Sequence, residues 1–142
     1  MIARTFVDTN VLLYAYDADA GEKHFRAAEL LRSLWLEGTG CLSTQVLQEF
    51  YVNATKKIRT PVPKAIAREI IGSFGTWVHT AITPGTVYRA SEISEAYQLS
   101  FWDGLILAAA DQEGASVLLS EDLNNGQIIS GIRVVNPFVV PV

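Results

Sequence analysis

The stretch IARTFVDTNVLLYAYD, residues 2–17, contains the pattern that decides the fold. The apolar run Ile2–Val7 predicts a buried strand, and an acidic residue, Asp8, follows it directly. A second apolar run starts near Asn10 and predicts a helix, which Asp8 is in position to cap. This order of strand, carboxylate and helix is typical of the first unit of an α/β fold.

Apolar runs elsewhere in the chain predict the remaining strands. They are Gly40–Ser43, Val78–Ile82, Ser116–Leu119 and Ile132–Val135. These runs are short and do not alternate strictly with polar residues, as expected for strands that are covered on both faces. Because longer helical patterns lie between them, the sequence predicts a mostly parallel sheet of about five strands flanked by helices.

The predicted helices have recognisable start and end signals. Asp19 and Glu22 form a capping-box pattern, and the helix that follows ends before Gly38. Later helices are expected to begin at Ser43 or Thr44, Pro63, Thr83-Pro84 and Ser100, with the last ending at Gly114. The expected buried faces are Phe25, Ala28, Leu31 and Trp35; Val46, Leu47, Phe50 and Ala54; Ile66, Ile70 and Phe74; and Val87, Ala90, Ile93 and Tyr97.

Composition limits the class of protein. The chain has 142 residues, of which 49% are hydrophobic, enough for one sizeable core in a single domain. Its single cysteine, Cys41, excludes an internal disulfide and favours a buried structural thiol in a cytoplasmic protein. No uninterrupted apolar run is longer than that at Leu105–Ala110, which is far shorter than the ~20 residues of a membrane span, so no membrane association is expected.

Charge alone argues against a general nucleic-acid binder. The 11 basic and 15 acidic residues give a formal charge of −4, whereas such proteins usually have a basic surplus. An acidic balance is compatible with a nuclease only if some of the carboxylates surround a cation.

Four acidic residues from distant segments are predicted to meet at one edge of the sheet. Asp8 and Asp122 follow predicted strands, Glu49 lies early in the helix after the second strand, and Asp103 lies in the first turn of another helix. Ligands bind outside the carboxyl ends of the strands in such folds. Clustered carboxylates repel one another, and the four segments offer no nearby cationic partner. All-oxygen ligands favour Mg²⁺ or Mn²⁺, which activate water and hold a phosphate.

Each of these acids also has a purely structural interpretation. Asp8 and Asp103 are suited to capping helices, Glu49 to a solvated helix face, and Asp122 to a turn. Independent caps would have no reason to share one edge of the sheet, so the predicted convergence favours a metal site. Glu121, beside Asp122, is an alternative for the fourth position.

Several of these segments resemble one known family. The segment VDTNVLLYAYD at 7–17 resembles the opening of PIN domains, and Gln48-Glu49-Phe50 resembles their second acidic motif. The third is FWDGLILAAA at 101–110, with Asp103 opening an Ala-rich helix, and the fourth is LLSEDL at 118–123. Gly104 stands where the family more often has Ala, a difference expected to loosen the start of that helix.

The resemblance spans nearly the whole chain and implies a single PIN domain over residues 1–142, with a three-layer fold. It implies an Mg²⁺- or Mn²⁺-dependent endoribonuclease in which Asp8, Glu49, Asp103 and Asp122 are catalytic and hold the metal. Thr9, Asn10 and Ser120 would support these acids. Stand-alone PIN proteins of this size are similar to VapC-type toxins, which cleave structured RNA such as transfer or ribosomal RNA. Such toxins are neutralised by a small antitoxin protein and often form homodimers.

Two surfaces are candidates for contacts with partners. Five of the 11 basic residues fall within thirteen positions: Lys56, Lys57, Arg59, Lys64 and Arg68. They are interpreted either as a solvated edge or as a rim that contacts the phosphates of RNA. Apolar side chains of the first helices are candidates for protein docking: Leu12, Leu13, Leu34 and Trp35.

Other functions fit the sequence less well. A phosphatase with an aspartate nucleophile typically carries a second Asp two residues after the first, where this chain has Asn10. A receiver-like signalling domain needs a Lys after a late strand, and Ser120, Glu121 and Asp122 supply none. A degenerate PIN fold acting as a binding module would have lost a carboxylate, and all four are present.

Overall fold

A computed structural model describes residues 3–139 and contains a five-stranded sheet in the order β2-β1-β3-β5-β4. Strands β1, β2, β3 and β5 are parallel, and β4 pairs antiparallel with β5. The strands are β1 Arg4–Val7, β2 Gly40–Cys41, β3 Ala115–Leu119, β4 Ile128–Ile129 and β5 Ile132–Val135. The helices are α1 Thr9–Ala15, α2 Glu22–Glu37, α3 Thr44–Lys56, α4 Lys64–Phe74, α5 Pro84–Tyr97 and α6 Phe101–Gln112, with a 3₁₀ helix at Gly75–Trp77. The expected α/β class and the mostly parallel sheet are confirmed.

The centre of the sheet is fully buried. Phe6 of β1 lies in register with Cys41 of β2 on one side and with Leu118 of β3 on the other. All three side chains are inaccessible to solvent, which accounts for the apolar runs without strict alternation. Cys41 is a free, buried thiol, as expected.

Most helix starts lie where the sequence signals placed them. Ser43 caps α3 by accepting a bond from the backbone N–H of Val46, and Ser100 caps α6 in the same way from Asp103. Thr83 caps α5 in a reciprocal arrangement with Thr86. Because these side chains satisfy N–H groups that have no partner in the helix, they fix where each helix begins.

The prediction of a strand at Val78–Ile82 was wrong. The backbone N–H groups of His79 and Thr80 donate to the carboxylate of Glu113, at 2.9 and 2.7 Å, instead of to a neighbouring strand. Glu113 is buried and also accepts from the Thr80 hydroxyl. The fifth strand is instead β4, whose two residues are too few to give a sequence pattern.

The start and the buried face of α2 also differ from the expectation. Gly21, in a positive-φ conformation, precedes the helix without a side-chain cap, whereas Asp19 accepts a bond from Thr60. The helix buries Ala27, Leu31 and Leu34, and Phe25, Ala28 and Trp35 lie on its exposed side. Ile66, Val87 and Tyr97 of later helices are likewise exposed rather than buried, at 45%, 43% and 37%.

The start of the first strand differs from one further prediction. Strand β1 begins at Arg4, and Ile2, which the predicted strand included, lies outside the described residues. Within residues 3–139, no helix has the length and apolar character needed to cross a membrane.

Candidate active site

Asp8 lies at the carboxyl end of β1 and is 6% exposed. One of its carboxylate oxygens accepts the backbone N–H of Thr9 at 2.7 Å, and the other accepts the hydroxyl of Ser120 at 2.8 Å. The backbone N–H of Asp8 donates to Leu119, the last residue of the neighbouring strand β3. Asp8 is therefore held between the ends of the two central strands.

Glu49 projects from α3 toward the same end of β1. The hydroxyl of Thr9 donates to one oxygen of Glu49 at 2.6 Å, and the side-chain amide of Gln45 lies 3.4 Å from the other. Thr9 thus contacts two acids, Asp8 through its backbone and Glu49 through its side chain. This connects the helix that carries Glu49 to the end of the first strand.

Asn10 connects the start of α1 to the loop after β3. Its amide nitrogen donates to the carboxylate of Asp122 at 3.0 Å, and its oxygen accepts the backbone N–H of Glu121. Ser120, which donates to Asp8, also accepts the backbone N–H of Asp122. Thr9, Asn10 and Ser120 are therefore the residues that link the acids to one another.

Glu121 faces a different set of side chains from Asp122. Its carboxylate accepts from the hydroxyl of Tyr14 and forms an ion pair with Lys23, with 2.9 Å between nitrogen and oxygen. The carboxylate of Asp122 contacts Asn10 instead. The two neighbouring acids therefore have different partners, and the one in contact with the Asp8 network is Asp122.

Asp103 lies in the first turn of α6 and is half-buried. It is held there by Ser100, which caps the helix, and by the packing of α6 behind it. The side-chain amide of Gln45 donates to the backbone carbonyl of Trp102, the residue before Asp103, at 3.2 Å. A continuous set of contacts therefore runs from Asp122 through Asp8 and Glu49 to the turn that carries Asp103.

Charge repulsion relates each of Asp8 and Asp103 to the carboxylates of Asp122 and Glu49. Burial raises the pKa of Asp8 to about 6, and repulsion from Asp122 and Glu49 adds to the rise against the opposing bonds from Ser120 and Thr9. Burial also raises the pKa of Asp103, again with repulsion from Asp122 and Glu49. The structure therefore brings Asp8, Glu49, Asp103 and Asp122 to one edge of the sheet, where the sequence placed them.

The donor set suits a hard divalent cation. All four groups are carboxylates, and none of them takes part in an ion pair with a cationic side chain within residues 3–139. Over the same residues, no group of three or more acidic, histidine or cysteine side chains lies close enough together to hold a metal ion by itself. Mg²⁺ does not require such a cage, since it keeps several waters beside one or two carboxylates. The residues present therefore fit Mg²⁺ or Mn²⁺.

Gln45 is the residue at this site that the sequence patterns did not single out. Its side chain is 5% exposed and contacts both Glu49 and the turn before Asp103. Gln45 and Glu49 are one helical turn apart and share a face of α3. That spacing was the available signal, but it does not distinguish a buried glutamine from the usual solvated one.

The five basic candidates lie at the end of α3, in the loop that follows and on α4. They are Lys56, Lys57, Arg59, Lys64 and Arg68, and all five are exposed. In the described part of the chain, no ion pair or hydrogen bond joins any of them to the four acids. The structure therefore leaves them available to solvent, and they take no part in the hydrogen bonds that connect the acids.

Comparison with known proteins gives a family match over most of the chain. A family model described as PIN domain matches residues 5–126, which include all four acids. A search of curated proteins by sequence gives no significant match.

Solved structures with the same fold come from several bacteria. The chain is similar to a protein of a toxin–antitoxin complex from Klebsiella pneumoniae, at 20% identity and a TM-score of 0.68, with 96% of this chain and 99% of that one covered. It is also similar to Mycobacterium tuberculosis VapC20, described as a toxin that cleaves the sarcin-ricin loop, at 19% identity, TM-score 0.62, and 83% and 89% coverage. A third similar structure is that of VapBC2 from Rickettsia felis bound to a DNA fragment from their promoter. The identity is 18% and the TM-score 0.61, with 92% of this chain and 96% of that one covered.

Proposed function

This chain belongs to the PIN domain family, and from that premise we propose that it is a metal-dependent endoribonuclease acting as the toxin of a toxin–antitoxin pair. The observation that carries the proposal is the set of four carboxylates at the carboxyl edge of the sheet. Those of Asp8, Glu49 and Asp122 are linked by hydrogen bonds through Thr9, Asn10 and Ser120, and Asp103 lies at the start of the neighbouring helix α6. A set of uncompensated negative charges at this position is costly unless a cation is shared.

Asp8 and Asp103 are the proposed principal ligands of Mg²⁺ or Mn²⁺. Glu49 and Asp122 complete the acidic pocket, directly or through water, and Thr9, Asn10 and Ser120 orient the acids by the bonds already described. A divalent ion, when bound, supplies Lewis-acid activation of water and neutralises charge at the scissile phosphate. The protein groups fix the geometry in which this happens.

The proposed substrate is a structured RNA, such as a transfer or ribosomal RNA. VapC20, a protein of the same fold, is described as a toxin that cleaves the sarcin-ricin loop. The basic side chains of α3, α4 and their connecting loop would contact phosphates beside the acidic pocket. These contacts compensate for the overall negative charge of the chain, which would otherwise repel RNA.

The proposed protein partner is a small antitoxin, and a homodimer in the cytoplasm is the proposed state of the toxin. Among the expected docking residues, Leu12 and Leu34 lie in the core, but Trp35 is 47% exposed. Trp35 lines a groove of about 330 Å³ between α1, α2 and α4 with Tyr16 and Phe74. An apolar groove with an exposed tryptophan fits an apolar segment of an antitoxin.

The enzymatic part of the proposal is tested with Asp8→Asn, which keeps the shape of the side chain and removes its charge. We expect the variant to lose cleavage of a purified structured RNA in Mg²⁺ or Mn²⁺, because a proposed metal ligand is gone. Glu121→Gln is the matched control, since it removes a nearby carboxylate that is paired with Lys23, and it should keep wild-type cleavage. Cleavage by Asp8→Asn at the wild-type rate would refute the proposed site.

The same two variants test the toxin role in cells. Expression of the wild-type chain and of Glu121→Gln should arrest bacterial growth, and Asp8→Asn should restore it. Growth arrest that persists with Asp8→Asn at equal expression would show that the toxicity does not come from this site.

A further inference from the structure

The helices that carry Glu49 and Asp103 are joined by one polar contact. Among the hydrogen bonds of residues 3–139, the bond from the Gln45 side chain to the Trp102 carbonyl is the one that links α3 to α6. It reaches α6 at the residue that precedes Asp103. Asp8, Glu49 and Asp122 are tied together through Thr9, Asn10 and Ser120, so the remaining acid, Asp103, depends on Gln45 for its connection to them.

The orientation of the Gln45 amide is fixed by its surroundings. Its nitrogen has two hydrogens, and two acceptors face it: a carboxylate oxygen of Glu49 at 3.4 Å and the Trp102 carbonyl at 3.2 Å. Turning the amide over would place its oxygen against both acceptors. Gln45 therefore presents its nitrogen to the site and cannot exchange the two ends of the amide without repulsion.

The other end of the amide indicates that packing is not the whole role of Gln45. Its oxygen is buried and has no hydrogen-bond partner among the described residues. A buried polar atom without a partner is unfavourable, so if packing were the only role of Gln45, an apolar side chain of the same length would fill this space at lower cost. The polar side chain is then explained by its two contacts on the nitrogen side.

We propose that Gln45 is a positioning residue that sets the spacing between the carboxylates of Glu49 and Asp103. It holds the Glu49 carboxylate from one side while Thr9 holds it from the other. At the same time it anchors the backbone at the start of the turn that presents Asp103. This inference rests on the proposed metal-dependent activity, because the spacing matters only if the two acids act on a common ion.

Groups that orient metal ligands affect affinity without touching the metal. Loss of such a hydrogen bond typically reduces metal affinity or activity by about 10–100-fold. Gln45 differs from the usual hydrogen-bond partner of a metal ligand in that it acts on two acids from two helices. Its removal should therefore weaken ion binding within this range while leaving the fold in place.

The test compares Gln45→Met with Gln48→Met. Methionine matches glutamine in length and fills the buried space, but it cannot donate to Glu49 or Trp102. Gln48 is exposed on the same helix and serves as the matched control. Binding of Mn²⁺ alone to each metal-free protein is measured from the electron paramagnetic resonance signal of free Mn²⁺, and thermal melting in a chelator reports on the fold.

We expect Gln45→Met to melt within a few degrees of the wild type, to bind Mn²⁺ about 10–100-fold more weakly and to cleave RNA more slowly at a fixed Mn²⁺ concentration. Gln48→Met should match the wild type in all three measurements. Gln45→Leu is a second apolar variant that gives the same comparison if the methionine variant is poorly folded. Wild-type Mn²⁺ affinity in either folded Gln45 variant would overturn the proposal.

The wild-type chain separates this inference from the proposed function. If the wild type binds Mn²⁺ and cleaves RNA while Gln45→Met does both equally well, the positioning role of Gln45 is refuted and the ribonuclease proposal stands. If the wild type binds no Mn²⁺ and Asp8→Asn changes nothing, the proposed metal site is itself refuted, and the role assigned to Gln45 with it.

Discussion

Asp8 combines burial with negative charge, and that combination has a consequence for stability. Its side chain is 6% exposed, and Asp122 and Glu49 repel its ionised form. Two hydrogen bonds, from Thr9 and Ser120, do not offset these effects, and the pKa of Asp8 is raised from 3.8 to about 6. In the metal-free protein, the folded state therefore holds a proton on Asp8 over a pH range in which the unfolded state has lost it.

This shift predicts how metal-free stability depends on pH. Because the folded state binds more protons, the contribution of Asp8 to the free energy of unfolding is complete below about pH 4 and is lost as pH rises through about 6. The shift is worth about 3 kcal/mol. Relative to the wild type, Asp8→Asn should gain roughly this amount of unfolding free energy between pH 4 and pH 7.5. Urea unfolding in a chelator measures it, and a difference that does not change with pH would contradict the assigned pKa.

The acids themselves were recognisable from the sequence, but their connecting side chains were less so. Asp8 and Asp122 follow strands, and Asp103 and Glu49 lie in the first and second turns of helices, positions that can be read from apolar patterns. Gln45 gives no such signal, because a glutamine on a helix is usually solvated. Glu121 and Asp122 are adjacent in the sequence, and only their contacts with Lys23 and Asn10 show which one joins the Asp8 network.

At the scale of the elements, prediction succeeded where local signals decide the outcome. The helix starts at Ser43, Thr83 and Ser100 follow from side chains that cap the helix within three residues. The segment Val78–Ile82 was assigned wrongly because its apolar pattern is that of a strand, whereas its backbone bonds go to the distant Glu113. No local pattern indicates that a carboxylate from another element will take the place of a strand.

The packing of α5 on α6 explains Gly104, which the family pattern had marked as a departure. A Cβ atom at Gly104 would lie 2.5 Å from the backbone carbonyl of Ala90 and 3.2 Å from the Cβ of Ser94. The glycine therefore permits the close approach of the two helices. Helix propensity alone predicts that Gly104 loosens the start of α6, whereas the close contact with α5 leaves no room there for a Cβ atom.

Gly104→Ala should accordingly destabilise the protein, although alanine is the better helix former. Overpacking costs about 1–3 kcal/mol, against about 1 kcal/mol gained in helix propensity. Gly72→Ala in α4 is the matched control, because nothing lies within 4 Å of its Cβ, and it should stabilise by up to about 1 kcal/mol. Urea unfolding of both variants measures the difference, and an equal gain from both would contradict the close packing of α5 on α6.

At the scale of the whole molecule, the acidic edge has a cost that a bound cation would remove. The formal charge of the chain is −4, and four carboxylates without cationic partners in the described residues lie together at the sheet edge. Most of the folding energy comes from the buried core, which continues from the central strands into the helices. The site is thus an unfavourable arrangement of charge that the rest of the fold supports.

Divalent metal should therefore raise the melting temperature of the whole chain. An ion that binds only the folded state at one hundred times its Kd adds about 2.7 kcal/mol, on the order of 10 °C for a domain of this size. Titration with Mn²⁺ at pH 7.5 should show this rise in the wild type, and Asp8→Asn should show little of it. At pH 5 the rise should be smaller, because protons compete with the ion for a carboxylate whose pKa is about 6. A wild-type melt unchanged across the titration, or an equal rise in Asp8→Asn, would refute a shared ion at this edge.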